Sequence, residues 1–76
     1  MTNKDEKMKN TYFVARDLNG SLYMHAQRPA LNYDMTEYMS LDFVKIDDNL
    51  FPELTFNDGP KEVYMDKEAY IDMKLK

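Results

Sequence analysis

Histidine and serine side chains are the first candidates for chemistry in this chain of 76 residues, which contains no cysteine. His25 is the single imidazole, and Ser21 and Ser40 are the only serines. Nucleophilic catalysis needs a serine or cysteine beside a base, with a third group that orients the base. Neither serine stands in the Gly-x-Ser-x-Gly pattern of a nucleophile elbow. We therefore predict no catalytic residue, no cofactor and no enzyme, and we expect His25 to be a solvent-facing strand residue beside Tyr23.

Carboxylates are plentiful in the run DDNLFPELTFND, residues 47–58, so a calcium site has to be considered. An EF-hand loop needs glycine at its sixth position and a bidentate glutamate at its twelfth, and this run has neither. The single histidine and the lack of thiolates argue against a structural zinc site. We expect no metal site, and we interpret these carboxylates as a solvated rim or as a patch that meets a basic partner.

The negative charge is concentrated in the middle of the chain. The net charge is −4, and residues 34–58 hold seven acidic residues against one lysine. Such a field repels phosphate backbones and attracts basic surfaces, so we expect no direct binding to nucleic acid. No apolar run approaches the roughly 20 residues of a membrane-spanning helix. The first ten residues lack the apolar core of a secretory signal, so we expect a soluble cytoplasmic protein without membrane contact.

Tyrosine and methionine are interleaved with the acidic residues of this middle segment. The chain has six tyrosines and seven methionines, which either fill irregular parts of a core or form an interface. Tyrosine suits an interface because its ring is apolar and its hydroxyl is polar. We predict that a protein partner with a basic surface is contacted by Tyr33, Asp34, Met35, Glu37, Tyr38, Asp42, Asp47 and Asp48.

Residues 11–27 predict a β-hairpin. TYFVAR combines β-branched and aromatic residues, and SLYMHAQ alternates apolar and polar side chains, with His25 on the polar face. Between these runs, DLNG is typical of a turn that Asp17 opens and in which Gly20 supplies a positive φ. The hairpin is the strongest local signal in the sequence.

Two further strands are predicted downstream of the hairpin. LDFVKI is typical of a third strand with Phe43 facing inward, and KEVYM, after the turn NDGP, is typical of a fourth. Between them, Leu50 and Phe51 are expected to dock on the core. Pro52 favours an extended backbone at Phe51.

Two segments leave alternatives open. Residues 34–40 form either one or two helical turns capped by Asp34, or an irregular loop. At the C-terminus, Ile71, Met73 and Leu75 alternate with charged residues, so we favour a final strand, and the helix formers of DKEAYIDM make a C-terminal helix the alternative.

These elements predict a mainly β, or small α+β, fold. We expect a four- or five-stranded antiparallel sheet or half-barrel that opens with the hairpin and has at most one short helix. Residues 11–76 would form a single small domain, and residues 1–10 a flexible segment. Because exposed sheet edges pair readily with another chain, a homodimer is a reasonable hypothesis.

The order of motifs resembles a group of small phage and prophage proteins, mostly of unknown function. Those proteins share an aromatic-ARD-x-x-G-x-L hairpin, a proline soon after it, and an FPE segment that leads through an acidic turn to EV and a closing strand. The matching positions are Tyr12, Ala15, Arg16, Asp17, Gly20, Leu22, Pro29, Phe51, Pro52, Glu53, Glu62 and Val63. Residues 30–49 and the extended C-terminus depart from that pattern. The resemblance implies a viral or mobile-element origin, a bacterial host and an accessory role, and it transfers no catalytic residue.

The resulting hypothesis is a non-enzymatic binding protein of phage type that occupies a host macromolecule. An acidic surface over residues 34–58 would block a basic groove by mimicking the charge of nucleic acid, as an inhibitor of a bacterial defence nuclease would. One alternative is a homo-oligomer that sequesters a nucleotide signal, for which Arg16 and Arg28 would supply the positive charge. A minor structural or assembly protein of a virion is the other alternative.

Overall fold

The first hairpin forms where the sequence predicts it. In the computed structural model, which describes residues 9–76, strand β1 spans Lys9–Arg16 and strand β2 spans Leu22–His25. Gly20 has a φ of 98°, and its amide donates to the carbonyl of Asp17 at 2.9 Å. A side chain would strain this backbone, so glycine is the residue that the turn requires.

The described chain begins in a strand. Lys9 and Asn10 belong to β1 rather than to the flexible segment predicted for residues 1–10, and residues 1–8 of that segment lie outside the described part. The other elements are β3 (Ala30–Leu31), β4 (Tyr38–Met39), β5 (Phe43–Ile46), a 3-10 helix (Phe56–Asp58), β6 (Lys61–Asp66) and helix α1 (Lys67–Leu75).

Four strands form one antiparallel sheet in the order β5-β2-β1-β6. Val14 in the central strand β1 pairs with Met24 of β2 on one side and with Lys61 of β6 on the other. Strands β3 and β4 form a separate two-stranded hairpin. The prediction of a mainly β fold with a four-stranded antiparallel sheet and one short helix is confirmed, and the sheet does not close into a barrel.

One face of the sheet carries the hydrophobic core. Helix α1 covers this face, where the ring of Tyr70 stacks on Tyr12 with centroids 4.6 Å apart. Complete burial of a large apolar side chain contributes about 1.5–3 kcal/mol, so packing rather than intrinsic propensity holds this short helix in place. The buried members of the core are Tyr12, Val14, Leu22, Met24, Ile46, Leu54 and Tyr70.

Arg16 closes one end of the core face. Its guanidinium group donates to five carbonyls, which belong to the β1–β2 turn and to the loop of residues 48–54. They are those of Leu54 (2.6 Å), Gly20 (2.7 Å), Asp48 (3.1 Å), Phe51 (3.1 Å) and Leu50 (3.3 Å). A single side chain thus ties a loop without regular structure to the first hairpin.

The opposite face of the sheet is also covered. Ala15 is fully buried and His25 is 1% exposed, although the strand alternation turns both away from the core face. The chain after β4 reaches this face, because the hydroxyl of Ser40 lies 2.7 Å from Nδ1 of His25. The expectation of a solvent-facing His25 is therefore wrong, since a segment distant in sequence packs over the polar side of the hairpin.

The C-terminal segment is helix α1 rather than the strand that we favoured. Tyr70 and Met73, three residues apart, both pack on the core, as one face of a helix requires. Ile71 is 42% and Leu75 is 79% exposed, so the alternation of apolar and charged residues in this segment does not correspond to a buried and an exposed face of a strand. Within residues 9–76, no helix is long and apolar enough to span a lipid bilayer.

Two aromatic residues of the middle segment differ from expectation. Phe43 is 45% exposed, whereas its neighbour Val44 packs against the core and Ile46 is buried, so the other face of β5 points inward. Phe51 packs against the core as expected, but its φ is 52° rather than extended. The contacts of Arg16 with the loop carbonyls outweigh the local preference of a residue before proline.

Candidate functional site

The loop between β3 and β4, residues 32–37, is held by the side chain of Asn32. Its Oδ1 accepts the backbone amides of Thr36 at 2.9 Å and Glu37 at 3.2 Å, and the backbone amide of Asn32 donates to the Glu37 carbonyl at 2.8 Å. Met35 has a φ of 60° and donates to the carbonyl of Asn32. The segment is therefore an irregular loop, and the alternative of helical turns capped by Asp34 is excluded.

This 32–37 loop is attached to the turn of the first hairpin. The amide of Leu18 donates to the carbonyl of Thr36 at 2.9 Å, and the amide of Tyr38 donates to Oδ1 of Asp17, also at 2.9 Å. On the other side, the hydroxyl of Tyr38 donates to the carbonyl of Phe56 at 3.2 Å. The C-terminal end of the loop is therefore fixed to the first hairpin and to the 3-10 helix.

Apolar and acidic side chains project from the tip of the 32–37 loop. Tyr33 is 100% exposed and Met35 is 64% exposed. Asp34 and Glu37 are exposed as well, and their carboxylates accept no hydrogen bond from residues 9–76. The structure therefore brings four of the eight predicted contact residues together on one loop, and Tyr38 follows directly in β4.

Asp42 serves the fold rather than a free surface. Its Oδ1 accepts the hydroxyl of Tyr70 at 2.9 Å and the ammonium group of Lys74, both on helix α1. The hydrogen bonds from Lys74 and Tyr70 hold the pKa of Asp42 below its usual value. A substitution at Asp42 would therefore alter the docking of α1 as well as the surface charge.

Asp47 and Asp48 are also engaged within the chain. Asp48 accepts the amide of Leu22 at 3.0 Å and the ammonium group of Lys45, and its pKa is lowered chiefly by these two hydrogen bonds. Asp47 accepts the amide of Asn49 at 2.8 Å and so shapes the turn after β5. These two carboxylates lie in the turn after β5, apart in sequence and in hydrogen bonding from the 32–37 loop.

A small cleft lies between the 32–37 loop, β4 and the outer face of the sheet. Its volume is about 130 Å³, and it is lined by Asp17, Tyr23, Glu37, Tyr38, Met39 and Phe43. The rings of Tyr23 and Phe43 meet edge to face with centroids 5.8 Å apart. We call this feature the Asp17 cleft.

The carboxyl group of Asp17 is the unusual element of the cleft. The residue is 5% exposed, and its Oδ1 accepts the amide of Tyr38. Burial raises the pKa of Asp17, the hydrogen bond from Tyr38 partly offsets this effect, and the nearby charge of Glu37 raises the pKa further. From the sequence, Asp17 was interpreted only as a turn residue, because its burial depends on a hairpin distant in the chain.

His25 and Ser40 form the one serine–histidine contact among the described residues, at 2.7 Å between Oγ and Nδ1. The Ser40 hydroxyl also lies 3.2 Å from the carbonyl of Asp42, which has no proton of its own to give. In one tautomer His25 donates from Nδ1 to Ser40 while the hydroxyl donates to that carbonyl, and in the other the hydroxyl donates to Nδ1. In the first tautomer the polarity is the reverse of a serine activated by a histidine base.

The other nitrogen of His25 has no partner. Its Nε2 is buried and makes no hydrogen bond within the described residues, and burial lowers the pKa of the ring. The rings of Phe43 and Tyr23 lie 5.9 and 6.5 Å away between centroids. A neutral imidazole in this apolar site is consistent with a packing role.

A wider, open groove of about 660 Å³ lies beside the loop that Arg16 holds. Its lining includes Phe51, Leu54 and Pro60, together with the charged residues Glu53 and Lys61. In residues 9–76, no group of three histidine or carboxylate side chains is placed to bind a metal ion. Comparison with protein-family models, with curated proteins and with solved structures finds no match to this chain.

Proposed function

We propose that this chain is a small, non-enzymatic, acidic binding protein of phage or mobile-element type. It acts in the cytoplasm of a bacterial host by occupying a basic surface of a host macromolecule, as an inhibitor of a defence system would. The observation that carries this proposal is the complete exposure of Tyr33 on a loop with a fixed backbone. Exposed tyrosines on ordered loops provide large contact areas at little cost in conformational entropy.

The charge around Tyr33 supports a basic partner. Asp34 and Glu37 on the same loop form no ion pair with residues 9–76, so their charges are available to a partner. Complementary charge of this kind steers association and selects partners more than it adds affinity. The contact surface therefore centres on the 32–37 loop, and Asp42, Asp47 and Asp48 contribute through the fold and the overall field.

The nucleotide alternative has one arginine fewer than the sequence suggested. Arg16 donates to five backbone carbonyls, so it presents no free cation to a phosphate group. Arg28 pairs with Glu62 at 3.0 Å at an exposed position, and its guanidinium lies 4.8 Å from the centre of the Phe13 ring.

Capture from an extract of the host tests the proposed function. Tagged wild-type protein is compared with the double variant Tyr33→Ala/Met35→Ala and with the control Tyr64→Ala, which removes a tyrosine that is 63% exposed on β6. We expect a host protein with a basic surface to be retained by the wild type and the control and to be lost with the double variant. Equal retention by all three proteins would reject the 32–37 loop as the contact surface.

A dependence on salt distinguishes a charge-guided contact from simple adhesion. Once the captured protein has been purified, its association rate with the wild type should fall as the salt concentration rises, because screening weakens the long-range attraction. The variant Asp34→Asn/Glu37→Gln should show a smaller effect of salt. A rate that does not depend on salt would contradict the role of charge.

A further inference from the structure

The Asp17 cleft has the composition of a site for an organic cation. Tyr23, Tyr38 and Phe43 contribute aromatic rings, and Asp17 and Glu37 contribute carboxyl groups. Aromatic ring faces attract a cation placed within about 6 Å of the ring centre. We propose that this cleft receives the ammonium group of a lysine side chain from the basic partner, an inference that rests on the proposed function and specifies its chemistry.

Asp17 supplies the acceptor for this ammonium group. Its Oδ1 is used by the amide of Tyr38, whereas its Oδ2 accepts no hydrogen bond from any residue between 9 and 76. The residue is only 5% exposed, so the solvation of a charged Oδ2 is restricted. A buried carboxylate without a positive partner is costly, and an incoming ammonium group would offset that cost.

No lysine or arginine of the described chain forms an ion pair with the two carboxyl groups of the cleft. The ion pairs among residues 9–76 are those of Arg28 with Glu62, Lys45 with Asp48 and Lys74 with Asp42. None includes Asp17 or Glu37. Burial raises the pKa of Asp17, and the nearby charge of Glu37 raises it further. The two carboxyl groups of the Asp17 cleft therefore have no positively charged partner among residues 9–76.

The chain itself provides a precedent for an ammonium group beside these rings. The Nζ atom of Lys45 lies 5.7 Å from the centre of the Tyr23 ring. That ammonium group is bound to Asp48 and to the carbonyl of Ile46, and Lys45 is not among the residues that line the cleft. The Tyr23 ring thus already attracts one lysine.

The acceptor that Asp17 offers suits lysine. At about 30 Å³ for each water-sized group, a volume of 130 Å³ holds roughly four groups, which is enough for the end of a basic side chain. Arginine binds one carboxylate through two parallel hydrogen bonds, and Asp17 has a single oxygen that is free within residues 9–76. A compact ammonium group needs only one such acceptor.

Nuclear magnetic resonance titration tests the cleft with a defined probe. The ¹⁵N-labelled protein is titrated with Nα-acetyl-lysine methylamide, and separately with the neutral norleucine analogue and the arginine analogue. We expect the lysine probe to shift the amide signals of Tyr23, Met39 and Phe43 with a dissociation constant in the millimolar range. The norleucine analogue should leave these signals in place, and the arginine analogue should bind more weakly than lysine.

Two variants and a matched control complete the experiment. Asp17→Asn keeps an Oδ1 acceptor for the Tyr38 amide, and Glu37→Gln alters an exposed side chain. Each should raise the dissociation constant of the lysine probe by roughly tenfold, whereas the control Glu53→Gln, in the wider groove, should not change it. A conserved dispersion of amide signals shows that the variants are folded, and Glu37→Gln does not touch the hydrogen bonds of the fold.

The inference is overturned if the lysine probe shifts no cleft signal, if the norleucine analogue shifts them equally, or if neither cleft variant weakens the response. Such a result would leave the proposed function standing, because the capture experiment depends on Tyr33 and Met35 rather than on the cleft. Equal capture by the wild type and the loop variant would instead reject the proposed contact surface, and binding of the lysine probe to the cleft would still be measured independently.

Discussion

Replacing Arg16 by lysine keeps the positive charge at the end of β1 but removes the planar group that reaches five carbonyls. The shortest hydrogen bonds run from Nε to the carbonyl of Leu54 at 2.6 Å and from an Nη atom to Gly20 at 2.7 Å, and both are partly buried. Those to Asp48 and Leu50 are exposed, so water replaces them at little cost. The hydrogen bond to Phe51 is partly buried as well but longer, at 3.1 Å, so the effect of the substitution comes mainly from the two short ones.

Their loss sets the expected magnitude. A hydrogen bond from a charged donor contributes about 1.5–3 kcal/mol, and the lysine ammonium retains part of one such interaction. We expect Arg16→Lys to lower the free energy of unfolding by about 2 kcal/mol. That is a large share for a small domain, whose total stability is of the order of 0.1 kcal/mol per residue.

Urea unfolding followed by circular dichroism measures this change. With an m-value near 1 kcal/mol/M, typical of a small domain, the midpoint should fall by roughly 2 M. Arg28→Lys is the matched control, because Arg28 forms an exposed pair with Glu62 at 3.0 Å and should change stability by less than about 0.5 kcal/mol. Equal losses for the two variants would refute the role of Arg16 as the residue that holds the loop.

The remaining predictions concern the turn, the buried histidine and the docking of α1. Gly20→Ala should lower the free energy of unfolding by about 1–2 kcal/mol, as measured by thermal unfolding. No atom lies within 4 Å of the added methyl group, so the loss would come from the positive φ of this residue and not from a steric clash. Burial lowers the pKa of His25 below 6.5, so the unfolded chain takes up the proton first. The free energy of unfolding should therefore be constant above pH 6.5 and decrease below it. In the variant His25→Phe, the free energy of unfolding should stay constant down to about pH 5. Lys74 and Tyr70 lower the pKa of Asp42 below 3.8, so its contribution is present above that pH and is lost as the pH falls through the lowered value. Tyr70→Phe removes one of the hydrogen bonds to Asp42, so it should reduce the free energy of unfolding at neutral pH and narrow the difference between the urea midpoints measured at neutral and at acid pH. An unchanged difference would contradict the role of the Tyr70 hydroxyl in stabilising the Asp42 carboxylate.

Local signals were sufficient for the first hairpin and for β6. The turn residues Asp17 and Gly20 lie between two runs of strand-forming residues, so the neighbouring sequence contains all that the turn needs. The hairpin and the strand after the turn NDGP are confirmed. Such elements depend on backbone preferences that act over a few residues.

Predictions failed where the outcome depended on distant segments. Alternation in β2 separates two faces, but it cannot show that residues near Ser40 cover the face that carries His25. At the C-terminus, alternation and helix propensity compete, and the stacking of Tyr70 on Tyr12 decides for the helix. These contacts join segments that are far apart in the sequence, where propensity has no bearing.

For the candidate site, too, the sequence predicted the features that depend on nearby residues and not those that depend on distant contacts. Composition alone drew attention to Tyr33 and Met35, which lie exposed on one loop. It could not separate them from Asp42 and Asp48, because a carboxylate that binds a lysine within the fold has the same sequence signature as a free one. Asp17 was missed because the Tyr38 amide that holds its carboxylate comes from another hairpin.

The order of the strands has a consequence for the folding of the chain. Strand β1 pairs on one side with β2, its neighbour in sequence, and on the other with β6, where Val14 lies opposite Lys61. Short-range hairpins close quickly, whereas long-range pairing has to overcome the entropy of closing a long loop. A chain emerging from the ribosome therefore forms the first hairpin early and leaves one edge of β1 open until β6 has been made. During that interval the open edge of β1 is accessible to chaperones and to other nascent chains, until β6 pairs with it.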